Sequence, residues 1–405
     1  MPPLKHIKVL DLSRILAGPW CTQTLADLGA EVWKVESFEG DDTRLWMPPD
    51  IDGQSTYFLC CNRSKKSLVV DLKHPDGQAV VRALATRADV LVENFKDGGM
   101  ERFGLGYDSL AAANPGLVFC SISGYGRTGP RRAEAGYDFA IQAESGLMSI
   151  TGEPDGAPMK LGVAVTDIVA GMNAVQAILA AIIARQGTGK GQRIDISLLD
   201  GAVALLANVA SGHLATGGMP QRLGNAHPTV VPYQLFSTSD GALALAVGND
   251  RQFRNLCEKV LRRPELAVDP RFATNRARVE NRGRLIPVLE ALFLERGTRV
   301  WVARLREAGV PVGEVREVAS ALASPEIAAR DMVATVSDPV HGTLRLVGSP
   351  LALRGTPTPP SSAPPQLGAD TATILSQVLG LDAAEIGRLR AAGAIGGDRA
   401  LDNAI

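Results

Sequence analysis

Asp167 stands where an extended apolar run, Gly162-Val163-Ala164-Val165-Thr166, gives way to a strongly helical stretch from about Ile168 to Arg185. Two roles suit an aspartate there, and they are compatible. It can be a helix N-cap, its carboxylate accepting from the first free backbone N–H groups. It can also attack an activated acyl group and hold it covalently, with the helix dipole keeping it ionised. Upstream lies Gly124-Tyr125-Gly126-Arg127-Thr128-Gly129, spaced G-x-G-x-x-G behind a strand. That spacing marks a dinucleotide site only when a helix opens directly after it. Pro130-Arg131-Arg132 follows instead. The loop therefore reads as a glycine turn whose backbone N–H groups can approach an oxyanion. Tyr137-Asp138 follows Gly136 and reads equally as a turn and helix start. Lys65, Lys66 and Lys73 frame a strand and suit a phosphate. Arg14, Arg44, Arg63 and Arg102 suit carboxylates or phosphates. The plainer reading of each basic residue is a solvated surface side chain. The five histidines show no metal spacing, and the five cysteines show neither zinc spacing nor a disulfide framework. His227 is the one histidine in a distinctive loop, Gly224-Asn225-Ala226-His227-Pro228.

The elements that must position these groups alternate. Ile7–Leu12, Ala30–Glu36, Ser67–Leu72, Asp89–Phe95, Leu117–Ser123 and Arg193–Ser197 read as short strands. Helices are expected over Ala17–Leu28 and Gln78–Arg87, the second after a turn at His74-Pro75-Asp76-Gly77. Short apolar strands separated by helices predict an α/β fold with a parallel, doubly wound sheet. Ligands in such sheets sit at the carboxyl ends of strands. Leu12–Gly18, Asn94–Phe95 and Gly124–Gly129 would lie on that edge. Ser197–Thr216 reads as one long helix, and composition shifts at Gly217-Gly218-Met219-Pro220. Beyond it, a strand over Gly241–Val247 and helices over Arg251–Leu261 and Arg282–Leu294 suggest a smaller α+β domain. A Pro-rich connector, Thr356–Pro365, leads to two closing helices, Asp370–Leu379 and Asp382–Ala391.

At 405 residues, two domains are expected. Hydrophobic residues make up 45% and charged residues 21%, which excludes disordered and fibrous classes. Lys+Arg 42 against Asp+Glu 43 leaves a net charge of −1, so no global charge draws the chain to nucleic acid or to an anionic membrane. No signal-peptide run opens the sequence. No window reaches the roughly 18 uninterrupted apolar residues of a membrane span. A cytoplasmic protein with no membrane and no nucleic-acid partner is expected.

Read together, the segments resemble the class III CoA-transferase family, the superfamily of carnitine-CoA transferase, formyl-CoA transferase and acyl-CoA racemase. The matches run in order along the chain: Val9-Leu10-Asp11-Leu12-Ser13-Arg14, Ala17-Gly18-Pro19, Leu28–Glu36, Gly40-Asp41-Asp42-Thr43-Arg44, Asn62–Ser67, Asp71-Leu72-Lys73, Val92-Glu93-Asn94-Phe95, Ser123-Gly124-Tyr125-Gly126, Gly187–Gln192 and Pro365-Gln366-Leu367-Gly368. The resemblance implies a large Rossmann-like domain from residues 1–215 and 315–405, a small α+β domain from 216–314, and an interlocked homodimer. It places the catalytic aspartate on Asp167. CoA, a substrate and not a resident cofactor, would lie along the N-terminal strand ends. Arg102, Asn94 and Phe95 would hold its nucleotide and pantetheine arm, with Val70 and Lys73 near the adenine. Leu16 takes the place of the formyl-CoA enzyme's pantetheine-side glutamine, and Ala135 that of a basic residue, which points away from formate and oxalate.

The related racemases carry Gly-His-Asp where this chain has Gly136-Tyr137-Asp138. A phenol, with an ordinary pKa near 10, is a poor base at neutral pH, so transfer leads and α-branched acyl-CoA racemisation is the alternative. Transfer in the family runs without a metal, through a mixed anhydride and an aspartyl-CoA thioester. Gly124 and Gly126 would supply N–H groups to the oxyanions, and Tyr137 and Asp138 would border the acyl group. A small-domain loop closing over the site would exclude water. The His227 loop, with Val231-Pro232-Tyr233-Gln234 and Ala246–Asp250, looks most like the branch using succinyl-CoA and dicarboxylic acids. An arginine, Arg14 or Arg44, would hold the distal carboxylate.

Overall fold

The computed structural model describes residues 1–397. Residues 398–405, counted with the large domain above, lie outside the described residues. Six strands run in chain order: β1 (Lys8–Asp11), β2 (Glu31–Glu36), β3 (Lys66–Val70), β4 (Val90–Glu93), β5 (Val118–Ser123) and β6 (Arg193–Ser197). A short closing strand, β7 (Ile395–Gly396), joins them. The sheet order is β7-β3-β2-β1-β4-β5-β6, parallel throughout except β7, which pairs antiparallel with β3. Its central strands are covered on both faces, so they read in sequence as unbroken apolar runs. Chain order reverses between β1 and β4. A doubly wound sheet opens its binding crevice there, and both Leu12–Gly18 and Asn94–Phe95 leave the sheet at that point.

Five helices position the site: α1 (Ala17–Asp27), α2 (Thr56–Cys61), α3 (Asp138–Glu144), α4 (Val165–Thr188) and α5 (Leu198–Ala204). One face of α4 buries Ala170, Ala174, Ile178 and Ala181 in the core that α1 shares. Gly171 makes this close approach possible, since a Cβ there would lie 2.7 Å from the carbonyl oxygen of Ala17. By length and composition α4 could cross a membrane. Here its opposite face, with Met172 and Ile183, is exposed.

The chain divides into two compact units. One comprises 1–147, 160–211 and the described residues from 325 onward; the other comprises 148–159 and 212–324. The second has its own core, built on a three-stranded antiparallel sheet of Tyr233–Ser237, Ala242–Ala246 and Val312–Glu314. Segment 148–159 thus packs with this unit although its chain neighbours do not.

Several local expectations are corrected. Ser197–Thr216 is two helices meeting at 74°, α5 and Ala207–Thr216, because Ala207 takes φ +41° between them. The turn at His74–Gly77 is instead the start of helix Pro75–Ala85. Pro75 suits a first helical position, and the His74 ring accepts from the Asp76 N–H at 3.1 Å. Arg251–Leu261 changes pitch midway, from α-helix Asp250–Asn255 to a π-helical Leu256–Leu261. Helix α4 opens at Val165, three residues before the expected start, with Ala164 as N-cap.

Candidate active site

That early opening changes the reading of Asp167, which is the third residue of α4 and does not cap it. Asp138 satisfies the helix start instead. Its Oδ1 accepts from the Thr166 N–H and from the Thr166 hydroxyl, both at 2.8 Å. Its Oδ2 accepts from the Gln142 amide at 2.7 Å. Both oxygens are engaged, so Asp138 positions α4. Asp167 accepts no hydrogen bond from any described residue and faces a cavity of about 360 Å³. Burial, followed by the neighbouring Asp138 charge, raises its pKa to about 7. Desolvation thus acts against the helix dipole expected to keep it ionised. Burial and then the Asp167 charge push the Tyr57 hydroxyl above its ordinary range, which sets Tyr57 of α2 in the same electrostatic environment.

The cavity lies outside the carboxyl ends of β1, β4 and β5. It brings together Asp167, Arg14, Leu16, Asn94, Phe95 and Arg102, with Gly124 and Tyr137 on the same wall. Gly124 must be glycine, since a Cβ would stand 2.5 Å from the Gly136 Cα. Val70 and Lys73 line a second cavity of about 220 Å³, and Arg14 and Phe95 border both. Gly126 faces neither, and its N–H donates to the Ser123 hydroxyl at 3.1 Å. That group is spent on the turn and is not an oxyanion donor.

The loop after β1 is held by side chains from other elements. Lys34 Nζ donates to the Ser13 carbonyl at 2.9 Å. Asn94 brackets Arg14, its Oδ1 accepting from the Arg14 N–H at 3.0 Å and its Nδ2 donating to the Arg14 carbonyl at 2.7 Å. The Ile15 N–H donates to Asp41 at 3.2 Å, and the Cys61 thiol donates to the Ile15 carbonyl at 3.7 Å. These bonds keep Ile15 at φ 73°, a costly value for a β-branched residue. Asn94 therefore shapes the cavity wall as well as lining it. Asp41 and Lys34 pair at 2.9 Å beneath the loop, beside Asp11 and Lys65 at 3.1 Å, all four buried.

Arg44 is also corrected. Its Nε and Nη2 each reach Glu36 at 2.8 Å, its Nη2 reaches the Pro365 carbonyl at 3.1 Å, and its guanidinium lies 3.7 Å over the Phe58 ring. It does not line the Asp167 cavity, so it is not placed to hold a substrate carboxylate there. His227 lies in the second unit. Its Nδ1 accepts from the Thr229 N–H at 3.1 Å and its ring tilts against Tyr233 with centroids 5.2 Å apart, so the ring holds its own loop.

The model of CoA-transferase family III matches residues 4–371. The chain belongs to CoA-transferase family III. A succinate–glutarate CoA-transferase from Agrobacterium fabrum is 44% identical over 93% of this chain and 96% of its own length. The mouse succinyl-CoA:glutarate CoA-transferase is 42% identical over 98% of this chain and 91% of its own. Among solved structures, a CaiB/BaiF family protein from Brucella suis superposes with a TM-score of 0.82 at 46% identity, covering 93% of this chain and 99% of that one. Two residues of this CoA-transferase escaped the sequence reading. Tyr57 belongs to no motif, and Arg127 was hidden among the glycines of its loop, although it lines the cavity.

Proposed function

We propose that this enzyme transfers CoA from succinyl-CoA to a C4–C6 dicarboxylic acid, glutarate foremost, through a thioester on Asp167. The observation that carries this reading is the unpaired Asp167 carboxylate in the wall of a cavity at the sheet's crevice. The names of the relatives supply the substrate class. An Asp167 oxygen attacks the thioester carbonyl, the C–S bond breaks and CoA thiolate leaves a succinyl–aspartyl anhydride. The thiolate then attacks the Asp167 carbonyl and expels succinate, giving aspartyl-CoA. The acceptor carboxylate displaces the thiolate to form a second anhydride. Attack of the thiolate on the acceptor's carbonyl yields the new acyl-CoA and frees Asp167. One thioester replaces another, so little driving force is needed.

CoA would run from Arg102, Phe95 and the Asn94-held loop toward Val70 and Lys73, which border the second cavity. Its pantetheine arm would pass Leu16. The five cysteines are free thiols, which suits the reducing cytoplasm. A homodimer, its subunits interlocked, would cover the exposed apolar face of α4.

Intact-mass spectrometry after mixing with succinyl-CoA tests the reading. A covalent gain of one CoA less one water is expected on the wild type and none on Asp167→Asn. Added glutarate should discharge it as glutaryl-CoA. Turnover with no adduct on rapid quenching would sink the thioester route.

A further inference from the structure

We propose that Arg127 receives the second carboxylate of the acyl group, in donor and acceptor alike. The inference rests on the transfer reading above and deepens it. A dicarboxylate entering beside Asp167 brings an extra negative charge into a partly desolvated site, where an unpaired ion is costly. It needs a buried cation with donors to spare. Arg44 is held by Glu36 and does not line the cavity. Lys34 and Lys65 are paired with Asp41 and Asp11 beneath the loop. Arg14 pairs with Asp42 at 3.1 Å and Arg132 with Asp97 at 3.3 Å, and both arginines are more than half exposed. Arg102 is exposed as well. These three suit the phosphates of CoA at the mouth.

Arg127 differs from all of them. Its side chain is only 6% exposed, yet it lines the same cavity as Asp167. Its Nη2 donates to Glu93 Oε1 at 2.7 Å. Glu93 is itself fixed by the Phe95 N–H at 2.7 Å and by the Ser121 hydroxyl. A guanidinium carries five N–H donors, and this bond uses one. The Nε–H is buried and has no partner. Buried guanidinium donors are rarely left unpaired, so the group is built to take a further oxygen acceptor. A carboxylate is the acceptor whose geometry fits the guanidinium fork. Because donor and acceptor acyl groups occupy the same place in turn, one arginine serves both half-reactions.

The test uses succinyl-CoA as donor and a matched pair of five-carbon acceptors, glutarate and valerate. The wild type should favour glutarate by about 100-fold in kcat/KM, as expected for a site with a polar group that the wrong substrate leaves unpaired. Arg127→Met should bring the glutarate-to-valerate ratio to within about tenfold of unity. Arg127→Lys keeps a cation beside Glu93, so it guards against a Met variant that fails to fold. Its ratio should fall at least about fivefold, because a lysine cannot reproduce the fork. Equal losses for both acids, or an unchanged ratio in the lysine variant, would overturn the inference and leave Arg127 a strut for Glu93. A wild type that serves both acids equally would also overturn it while the transfer reading stands. A wild type that moves CoA to neither acid would remove the transfer reading and the inference together.

Discussion

On the proposed route through Asp167, an unpaired carboxylate whose pKa is raised to about 7 makes attack dependent on pH. Only the ionised form attacks, so kcat/KM for succinyl-CoA should climb with pH and level off above about 7. Asp138→Asn keeps an acceptor for Thr166 but removes the second cause of the shift. Its profile should therefore level off at lower pH, and a pH–rate series on both proteins checks this. Stability should move in the opposite sense. The folded pKa lies above the unfolded value near 3.9, so the folded state binds the extra proton between about pH 4 and 7, and stability falls as pH rises through that window. Asp167→Asn should be inactive yet more stable than wild type at pH 8, by about 2 kcal/mol once contact with water is allowed for. The gain should vanish near pH 4, and melting curves at both pH values would show it. At this scale the sequence made Asp167 visible but not the partners that hold the residues around it. Arg44 and Asn94 are residue types that bind ligands; what holds them is Glu36, eight residues before Arg44, and a backbone turn 80 residues before Asn94.

The β1 loop shows the same logic one level up. A chain leaving a strand and entering α1 has no ladder to satisfy its peptide groups. Lys34 of β2, Asp41 just after it, Cys61 of α2 and Asn94 just after β4 satisfy them. Asn94→Ala removes both bonds to the Arg14 backbone and frees Ile15 to relax from φ 73°. A rise of about tenfold in KM for acyl-CoA is expected, with a stability loss of about 1–2 kcal/mol. Steady-state kinetics beside melting curves measure both, and an unchanged KM would show that the loop's shape does not matter to binding. Strands were legible because burial on two faces leaves long apolar runs. The break between α5 and the helix after it was not, because Leu205, Leu206 and Ala207 are all good helix formers. Helix propensity cannot register a bend that packing imposes.

At the scale of the whole molecule, surface that packs nothing becomes informative. On α4, Met172, Ala180 and Ile183 recur at helical spacing on the face turned away from the core, with Met172 49% and Ile183 67% exposed. Val203 and Leu205, Tyr137 and Phe139 add large exposed apolar side chains in the same compact unit. Single exposed apolar residues are ordinary, but a repeating apolar stripe on a helix marks a covered surface. Tyr137 also borders the active-site cavity, so the covering surface would come close to the chemistry. If a second copy provides it, light scattering should give twice the chain mass at micromolar concentration. The melting temperature should fall on dilution, because folding is then linked to association. Ile183→Glu would place a charge in that contact and, with Met172→Glu, should yield monomers. Interlocked subunits predict more than dissociation. Each chain would lose packing it cannot replace alone, so these monomers should lose activity and melt lower, although neither residue touches the cavity. Active monomers with wild-type melting curves would mean that the stripe is ordinary surface and that each chain builds its site unaided.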